Sequence, residues 1–166
     1  MKRLRRIGRH WLASLRPARQ VLSVEALAKI DSEIQAAEQT HAGEIRLAIE
    51  TSLTLPQLWR HLTPHARARQ VFSALGVWDT EHNNGVLIYL LLADRSVEIV
   101  ADRAIAVRIP ASEWAALCDE IAARFGHGEP SAGCLLAVRS VAQRLARFFP
   151  AAGGDGNELP NQPVLL

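Results

Sequence analysis

The segment from Gly85 to Ala93 (GVLIYLLLA) contains the longest apolar run in the sequence and no charged residue. A strand with water on one face alternates apolar with polar residues, and this segment does not alternate. It is also much shorter than the ~20 apolar residues that cross a membrane as a helix. We therefore predict a central strand that is buried on both faces between layers of helices.

Two further segments have the residue pattern of neighbouring strands. Residues 96–101 (SVEIVA) follow the tight turn at 94–95 and predict an antiparallel hairpin partner. Residues 44–51 alternate apolar with polar residues, which predicts a strand with one exposed face or a strand at a sheet edge. A right-handed crossover would make it parallel to the central strand. Residues 104–109 (AIAVRI) are expected to add a short fourth strand.

Helical patterns occupy most of the remaining chain. Apolar residues recur every three or four positions in five stretches, at residues 2–16, 24–40, 55–75, 112–125 and 131–149. The predicted fold class is therefore α/β, a three-layer α/β/α sandwich with a small mixed sheet of three to four strands. We divide the chain into a basic N-terminal arm, one α/β domain and a C-terminal tail, at residues 1–22, 23–150 and 151–166.

Charge is distributed unevenly along the chain. Residues 1–20 carry seven basic and no acidic residues, which leaves twelve basic against 17 acidic residues in the remainder. The mildly acidic remainder argues against a nucleic-acid-binding face. The arm combines its positive charge with helical apolar spacing, so we expect it to contact an anionic membrane surface. The residues expected to make this contact are Arg3, Arg5, Arg6, Arg9 and Trp11.

No segment predicts a secretory signal or a membrane-spanning helix. In residues 7–15 (IGRHWLASL), Arg9 and His10 interrupt the continuous apolar run that a signal peptide needs. We expect a cytoplasmic protein that contacts the inner face of the membrane peripherally. Cys118 and Cys134 match no zinc or redox spacing, and we interpret them as small buried side chains.

Polar residues are concentrated at one end of the predicted sheet. The predicted strand pairings bring together the start of the first strand, the loop before the central strand and the end of the hairpin strand. We call the polar residues at this place the rim: Glu44, Asp79, Glu81, Asn83, Asn84, Asp102 and Arg103. Carboxylate and amide oxygens suit Ca²⁺ or Mg²⁺. Asp79, Glu81 and Asp102 are the candidate metal ligands. The alternative is that rim residues are turn formers and solvated charges.

Motifs of common catalytic sites are absent from the sequence. His61 and His65 are four residues apart, but Pro64 lies between them and no Glu follows His61, so they do not form the metalloprotease motif. The sequence also contains no glycine-rich phosphate loop and no G-x-S-x-G nucleophile elbow. We therefore assign no catalytic residue.

A series of short motifs in residues 66–105 resembles the TPM-domain family. These are an A-x-x-x-F helix, a glycine turn, an N-G-V-L-I strand, a D-R turn and a V-x-I strand, here at Ala68 with Phe72, Gly76, 84–88, 94–95 and 97–99. Upstream, residues 43–45 (GEI) are similar to the family's first strand. Downstream, residues 125–129 (FGHGE) are similar to the stretch before its last helix. The resemblance extends over roughly residues 25–148.

The resemblance implies an α/β/α sandwich and several activities known in the family. Some members are described as thylakoid acid phosphatases, others as bacterial proteins that bind divalent cations, and others as animal membrane proteins that modulate receptors. Many bacterial relatives are encoded near a LemA-type membrane protein, which is therefore an expected partner. The family's glycine-rich G-x-G-[LI]-E-G stretch is here ADRAIA, at residues 101–106, without the two glycines and the Glu.

Two functions follow as hypotheses. The first is a non-enzymatic accessory or protein-interaction domain that acts with a membrane-associated partner. The second is a divalent-cation-dependent phosphatase that uses the acidic rim. The sequence favours the first, because catalytic motifs are lacking and the family's glycine-rich stretch is altered.

Overall fold

The computed structural model describes residues 2–15, 18–151 and 157–166, apart from the side chains at positions 2, 3, 18 and 19. No helix among these residues is long and apolar enough to cross a membrane. The elements follow in the order α1 Lys2–Ser14, α2 Ala18–Val21, α3 Val24–Glu38, β1 Glu44–Glu50, α4 Leu55–Trp59, α5 Pro64–Ala74, β2 Gly85–Leu91, β3 Ser96–Ala101, α6 Arg103–Ala106, α7 Ala111–Gly126, α8 Pro130–Phe148 and β4 Val164–Leu165.

The described strands form one mixed sheet in the order β3-β2-β1-β4. β2 is parallel to β1, with Gly85 opposite Glu44, and antiparallel to β3, with Val86 opposite Ala101. The prediction of a central strand that pairs with both neighbours is therefore confirmed. Helices lie on both sides of this sheet, so the chain is an α/β sandwich of the predicted class.

The prediction of a fourth strand at residues 104–109 is wrong, because this segment begins with α6. Asp102 caps the helix by accepting a 2.7 Å hydrogen bond from the backbone N–H of Arg103. Ile105 and Ile109 are both almost fully buried, and they are four residues apart. The apolar residues of this segment therefore have the spacing of a helical turn and not that of a strand.

β1 is an inner strand, which corrects the prediction of an exposed face or an edge position. The C-terminal segment returns to the sheet as β4 and places Val164 opposite Ala48 and Leu165 opposite Ile49. All seven residues of β1 are buried. The charged side chains that predicted an exposed face are each bonded to a neighbouring segment: Glu50 to Arg67 and Tyr89, Arg46 to the carbonyl of Gln162, and Glu44 to the backbone N–H of Leu159.

Each face of the sheet is covered by helices over its own apolar core. On one face, α3, α7 and α8 enclose alternate strand residues, among them Leu47, Ile88 and Ile99. On the other face, α4 and α5 enclose the intervening residues, among them Ala48 and Leu87. Because β2 contributes to both cores, its sequence is apolar at every position.

Candidate functional site

The rim lies at the end of the sheet where β1 and β2 begin and β3 ends. The strand register brings Glu44, Gly85 and Ala101 to this end. The backbone N–H of Glu44 donates a 3.2 Å hydrogen bond to the carbonyl of Asn84, and the N–H of Asp102 donates a 2.9 Å bond to that of Gly85. The three segments predicted to converge here are therefore joined directly.

The two asparagines of the rim hold the loop before β2 in place. The side-chain amide of Asn84 donates to the carbonyl of Ala42, and its backbone N–H donates to Thr80 Oγ1 at 3.1 Å. Asn83 has a φ of 52°, a left-handed conformation that asparagine tolerates better than most residues. Its Oδ1 accepts a 3.0 Å hydrogen bond from Arg103 Nη2.

Asp102 uses one carboxylate oxygen and leaves the other without a partner. Its Oδ1 caps α6, whereas its Oδ2 is buried and forms no hydrogen bond with the described residues. Asn84 Oδ1 is also buried without such a bond. Buried polar atoms are almost always satisfied, so a donor or a cation beside either of these oxygens would be favourable.

Asp79 and Glu81 lie in the loop between α5 and β2, and both are exposed. The backbone N–H of Glu81 donates a 3.0 Å hydrogen bond to Glu158 Oε2, so the C-terminal segment adds a carboxylate that the sequence analysis missed. Among the described residues, no group of three or more His, Cys, Asp and Glu side chains could hold a metal ion. Binding of Ca²⁺ or Mg²⁺ by Asp79, Glu81 and Asp102 stays a prediction.

A polar cavity of about 280 Å³ adjoins the rim. Burial raises the pKa of Glu38 to about 7, although the backbone N–H of Ile45 that bonds its Oε1 acts in the opposite direction. Burial also lowers the pKa of His41. No sequence pattern indicated this cavity, which is lined by Gln35, Glu38, Gln39, His41, Ala42, Glu44, Asn157 and Asn161.

The N-terminal arm forms the predicted helix, α1, and polar side chains attach it to the domain. Arg6 donates to Asp94 Oδ2 through Nε at 3.0 Å and through Nη2 at 2.8 Å. Arg9 donates to Asp94 Oδ1 at 2.8 Å. His10 is buried, and its Nδ1 accepts a 2.9 Å hydrogen bond from the backbone N–H of Leu53. Asp94, which the sequence analysis assigned only to a turn, is the centre of this attachment.

A neutral histidine belongs to this ion-pair network. Because His10 Nδ1 accepts a hydrogen bond, the proton of the neutral imidazole is on Nε2. Nε2 lies 3.1 Å from Asp94 Oδ1, but the geometry does not meet the criteria for a hydrogen bond. Burial lowers the pKa of His10, although Asp94 acts in the opposite direction. Burial opposes ionisation of Asp94, but the hydrogen bonds and the positive charge of Arg6 hold the pKa of Asp94 below its ordinary value.

The apolar side of α1 points away from the domain. Leu4 is 75% exposed, Trp11 is 63% exposed and Leu12 is 62% exposed, and Leu15 follows just beyond the end of the helix at 61%. Ile7 lies at the border of this side and packs partly against the core beneath α4 and α5. α1 therefore presents most of its large apolar side chains to solvent.

Of the five arm residues predicted to contact an anionic surface, two are bound to the domain itself. Arg6 and Arg9 both pair with an acidic side chain of the domain. Arg5 and Trp11 are exposed. The side chain of Arg3 lies outside the described residues. The membrane contact itself stays a prediction.

Comparisons with known proteins agree with the resemblance noted in the sequence. A sequence model of the TPM domain matches residues 17–144. The chain is similar to the NMR structure of the BA42 protein from the psychrophilic bacterium Bizionia argentinensis, with 28% identity and a TM-score of 0.77 over 87% of this chain and 95% of that one. It also resembles the N-terminal domain of a P. gingivalis protein, with 19% identity and a TM-score of 0.61 over 75% of this chain and 76% of that one, a likeness of fold alone. Among curated proteins, none matches the chain.

Proposed function

Because the chain belongs to the TPM-domain family, we propose that it serves as a non-catalytic interaction module that acts together with a membrane-associated protein. The observation that carries this proposal is α6. The resemblance puts a glycine-rich stretch with a Glu at residues 101–106, whereas here Asp102 caps a helix and Ile105 is fully buried. A segment that could have wrapped around a ligand is packed into the domain instead.

Two charged side chains of the rim support the same proposal, because they bind the chain's own segments. Glu44 accepts a hydrogen bond from the backbone N–H of Leu159, and Arg103 donates one to Asn83. These bonds connect the loop before β2, the segment after β3 and the C-terminal segment. A phosphate ester that bound through Arg103 would compete with the bond to Asn83, which lowers the net gain from binding.

The partner that we propose is a LemA-type membrane protein, which the family resemblance suggests. The test is co-expression of the chain with the LemA-type protein of its own genome, followed by purification in detergent. We expect the two proteins to co-purify. The variant with Asp79→Asn and Glu81→Gln should co-purify equally, because the proposed interaction does not use a metal at the rim and changes at exposed side chains should leave the fold intact. Failure of the wild-type chain to co-purify would contradict this choice of partner.

The non-catalytic part of the proposal is tested by hydrolysis of a generic phosphate ester. Cleavage needs an activated nucleophile and positive groups on the developing charge. The rim provides Arg103 but no nucleophile paired with a base. We expect the purified chain to be no faster than a control with Asp79→Asn, Glu81→Gln and Asp102→Asn, with or without added Mg²⁺. A metal-dependent rate clearly above that control would contradict the proposal.

A divalent-cation-dependent phosphatase is the second candidate function. The observation that favours it is that two rim oxygens, Asp102 Oδ2 and Asn84 Oδ1, are buried and form no hydrogen bond with the described residues. Carboxylate and amide oxygens have the chemistry that Ca²⁺ and Mg²⁺ prefer, and in this candidate Arg103 would stabilise charge on a phosphate. If a cation binds, millimolar Ca²⁺ should raise the melting temperature by mass action, and Asp102→Asn should remove the rise. A melting temperature indifferent to both cations excludes this candidate.

A further inference from the structure

Helix α1 is attached to the domain by its polar side. An amphipathic helix of a globular domain normally turns its apolar stripe towards the core. Here Arg6 bonds to Asp94 and to the carbonyl of Leu62, and His10 bonds to the backbone N–H of Leu53. Because these partners lie in three different loops of the domain, they determine which side of α1 faces outward.

The opposite side of α1 is an exposed apolar stripe. Leu4, Trp11, Leu12 and Leu15 are between 61% and 75% exposed. With 3.6 residues per turn, these four positions fall within an arc of roughly 100°. No residue in the described part of the chain buries them. Large apolar side chains that are grouped on one side of a helix indicate a contact surface, whereas single exposed ones need no explanation.

The charge around the stripe indicates the chemistry of its partner. The first 20 residues carry seven basic and no acidic residues, while acidic residues outnumber basic ones by five in the remainder. Arg5 and Arg9 are exposed and lie along the helix next to the stripe. An anionic surface would therefore attract α1 and repel the rest of the domain.

We propose that α1 is an interfacial helix that binds an anionic lipid bilayer. Leu4, Trp11 and Leu12 enter the boundary between head groups and acyl chains, while Arg5 remains at the level of the lipid phosphates. Basic helices with tryptophan and leucine on the apolar side bind membranes in this way. The inference goes beyond the proposed function, since it requires neither a protein partner nor a catalytic rim.

The place of α1 in the fold gives this contact a defined orientation. Asp94 lies just beyond the end of β2, whereas the rim lies where β2 begins. The seven residues of β2 separate the two ends by about 20 Å. A domain bound through α1 would therefore hold the rim away from the lipid.

Flotation of the full chain with lipid vesicles tests this proposal. One set of vesicles contains phosphatidylglycerol and phosphatidylcholine, and the other contains phosphatidylcholine alone. We expect binding to the mixed vesicles that weakens at high salt, and little binding to the neutral ones. Trp11→Glu and Leu12→Glu should each lower binding to the mixed vesicles by about tenfold or more. Arg5→Glu should lower it by about tenfold.

The matched control is Trp78→Glu, the same chemical change at another exposed tryptophan, which is 53% exposed and lies outside α1. It should bind the mixed vesicles like the wild type, and all four variants should keep the wild-type melting temperature, because the changed side chains are exposed. Absence of wild-type binding to the mixed vesicles, or an equal loss in Trp78→Glu, would overturn the proposal. Loss of LemA-type co-purification in Trp11→Glu, without any vesicle binding, would assign the stripe to a protein instead.

Discussion

The carboxyl group of Glu38 lies in the polar cavity between the end of α3 and the start of β1. Its Oε1 accepts a 3.1 Å hydrogen bond from the backbone N–H of Ile45. Burial raises the pKa of this carboxyl to about 7, and the nearby charge of Glu44 adds to the rise. Near neutral pH, a large fraction of the molecules therefore keeps the proton, which avoids a buried negative charge.

This raised pKa predicts a dependence of stability on pH. The contribution of Glu38 to stability is complete below the ordinary pKa of 4.5 and is lost as the pH rises through about 7. Glu38→Gln removes the titration but keeps an oxygen for the N–H of Ile45. We expect the variant to be more stable than the wild type at pH 8 by on the order of 1–2 kcal/mol, and this difference to shrink at pH 5.5. Urea unfolding at both pH values measures it.

Glu33→Gln, a change on the same helix, is the control. Hydrogen bonds from Arg139 hold the pKa of Glu33 below its ordinary value of 4.5, so its contribution to stability is already complete above that pH. Glu33→Gln should therefore change the free energy of unfolding by a small amount that is the same at pH 5.5 and pH 8. A difference between Glu38→Gln and the wild type that does not change with pH would contradict the raised pKa.

At the scale of single elements, the start of β2 depends on a glycine. A Cβ at Gly85 would lie 2.0 Å from the carbonyl oxygen of Val77, and moving that backbone would displace the loop of the rim. We expect Gly85→Ala to destabilise the protein by about 3 kcal/mol in urea unfolding. Gly126→Ala is the control, because nothing lies within 4 Å of its Cβ position. If both substitutions lower the free energy of unfolding by the same small amount, the loop can move to make room for the added methyl group.

The attachment of α1 gives a second prediction at this scale. Asp94 is 9% exposed in its side chain and pairs with Arg6, Arg9 and His10. Asp94→Asn keeps the size of the side chain but removes its charge, so α1 should detach from the domain about tenfold more often. Trypsin cleavage within α1 should accelerate accordingly. The control is Asp119→Asn, at an exposed position on α7, which should leave the cleavage rate at the wild-type value. If Asp94→Asn also cleaves at the wild-type rate, the ion pairs of Asp94 do not hold α1 against the domain.

Elements with strong local patterns could be predicted from the sequence, whereas elements decided by tertiary contacts could not. The helix from Val24 has its predicted cap, a hydrogen bond from the N–H of Ala26 to Ser23 Oγ. The segment at 104–109 has apolar residues that fit either a strand or a turn of helix, and burial of Ile105 decides between them. The periodicity of α1 predicted a helix but could not show that its polar side would face the domain.

For the whole molecule, the order of three strands and the position of the rim could be predicted, because a parallel crossover and a hairpin fix the strand directions. The fourth strand could not be predicted. β4 has only two residues, and Pro160 and Pro163 precede it in a segment whose composition is typical of a tail. Glu158 was missed for the same reason, since its contact with the N–H of Glu81 depends on how this segment folds back.

The C-terminal segment protects the outer edge of β1. The backbone N–H of Leu166 donates to the carbonyl of Ile49 at 2.9 Å, and Arg46 Nη1 reaches the carbonyl of Gln162 at 3.2 Å. Backbone N–H groups along an extended segment point alternately to its two sides. Because the N–H of Leu166 points towards β1, position 163 faces away from β1. The residue there is proline, which has no N–H to donate to a further strand. The segment thus closes the sheet and presents a poor edge for pairing with another chain.

A pair of leucine substitutions within this segment tests whether it is a packed part of the domain. Leu159 is 8% exposed and lies in the core beneath α4 and α5, whereas Leu166 is 44% exposed at its end. Leu159→Ala should lower the free energy of unfolding by about 2 kcal/mol or more, because it leaves a cavity in that core. Leu166→Ala should lower it by less than about 0.5 kcal/mol. Urea unfolding of both variants measures this contrast. If both variants lose a similar, small amount of unfolding free energy, the segment does not pack stably against β1. The edge of β1 would then be open to pairing with another strand.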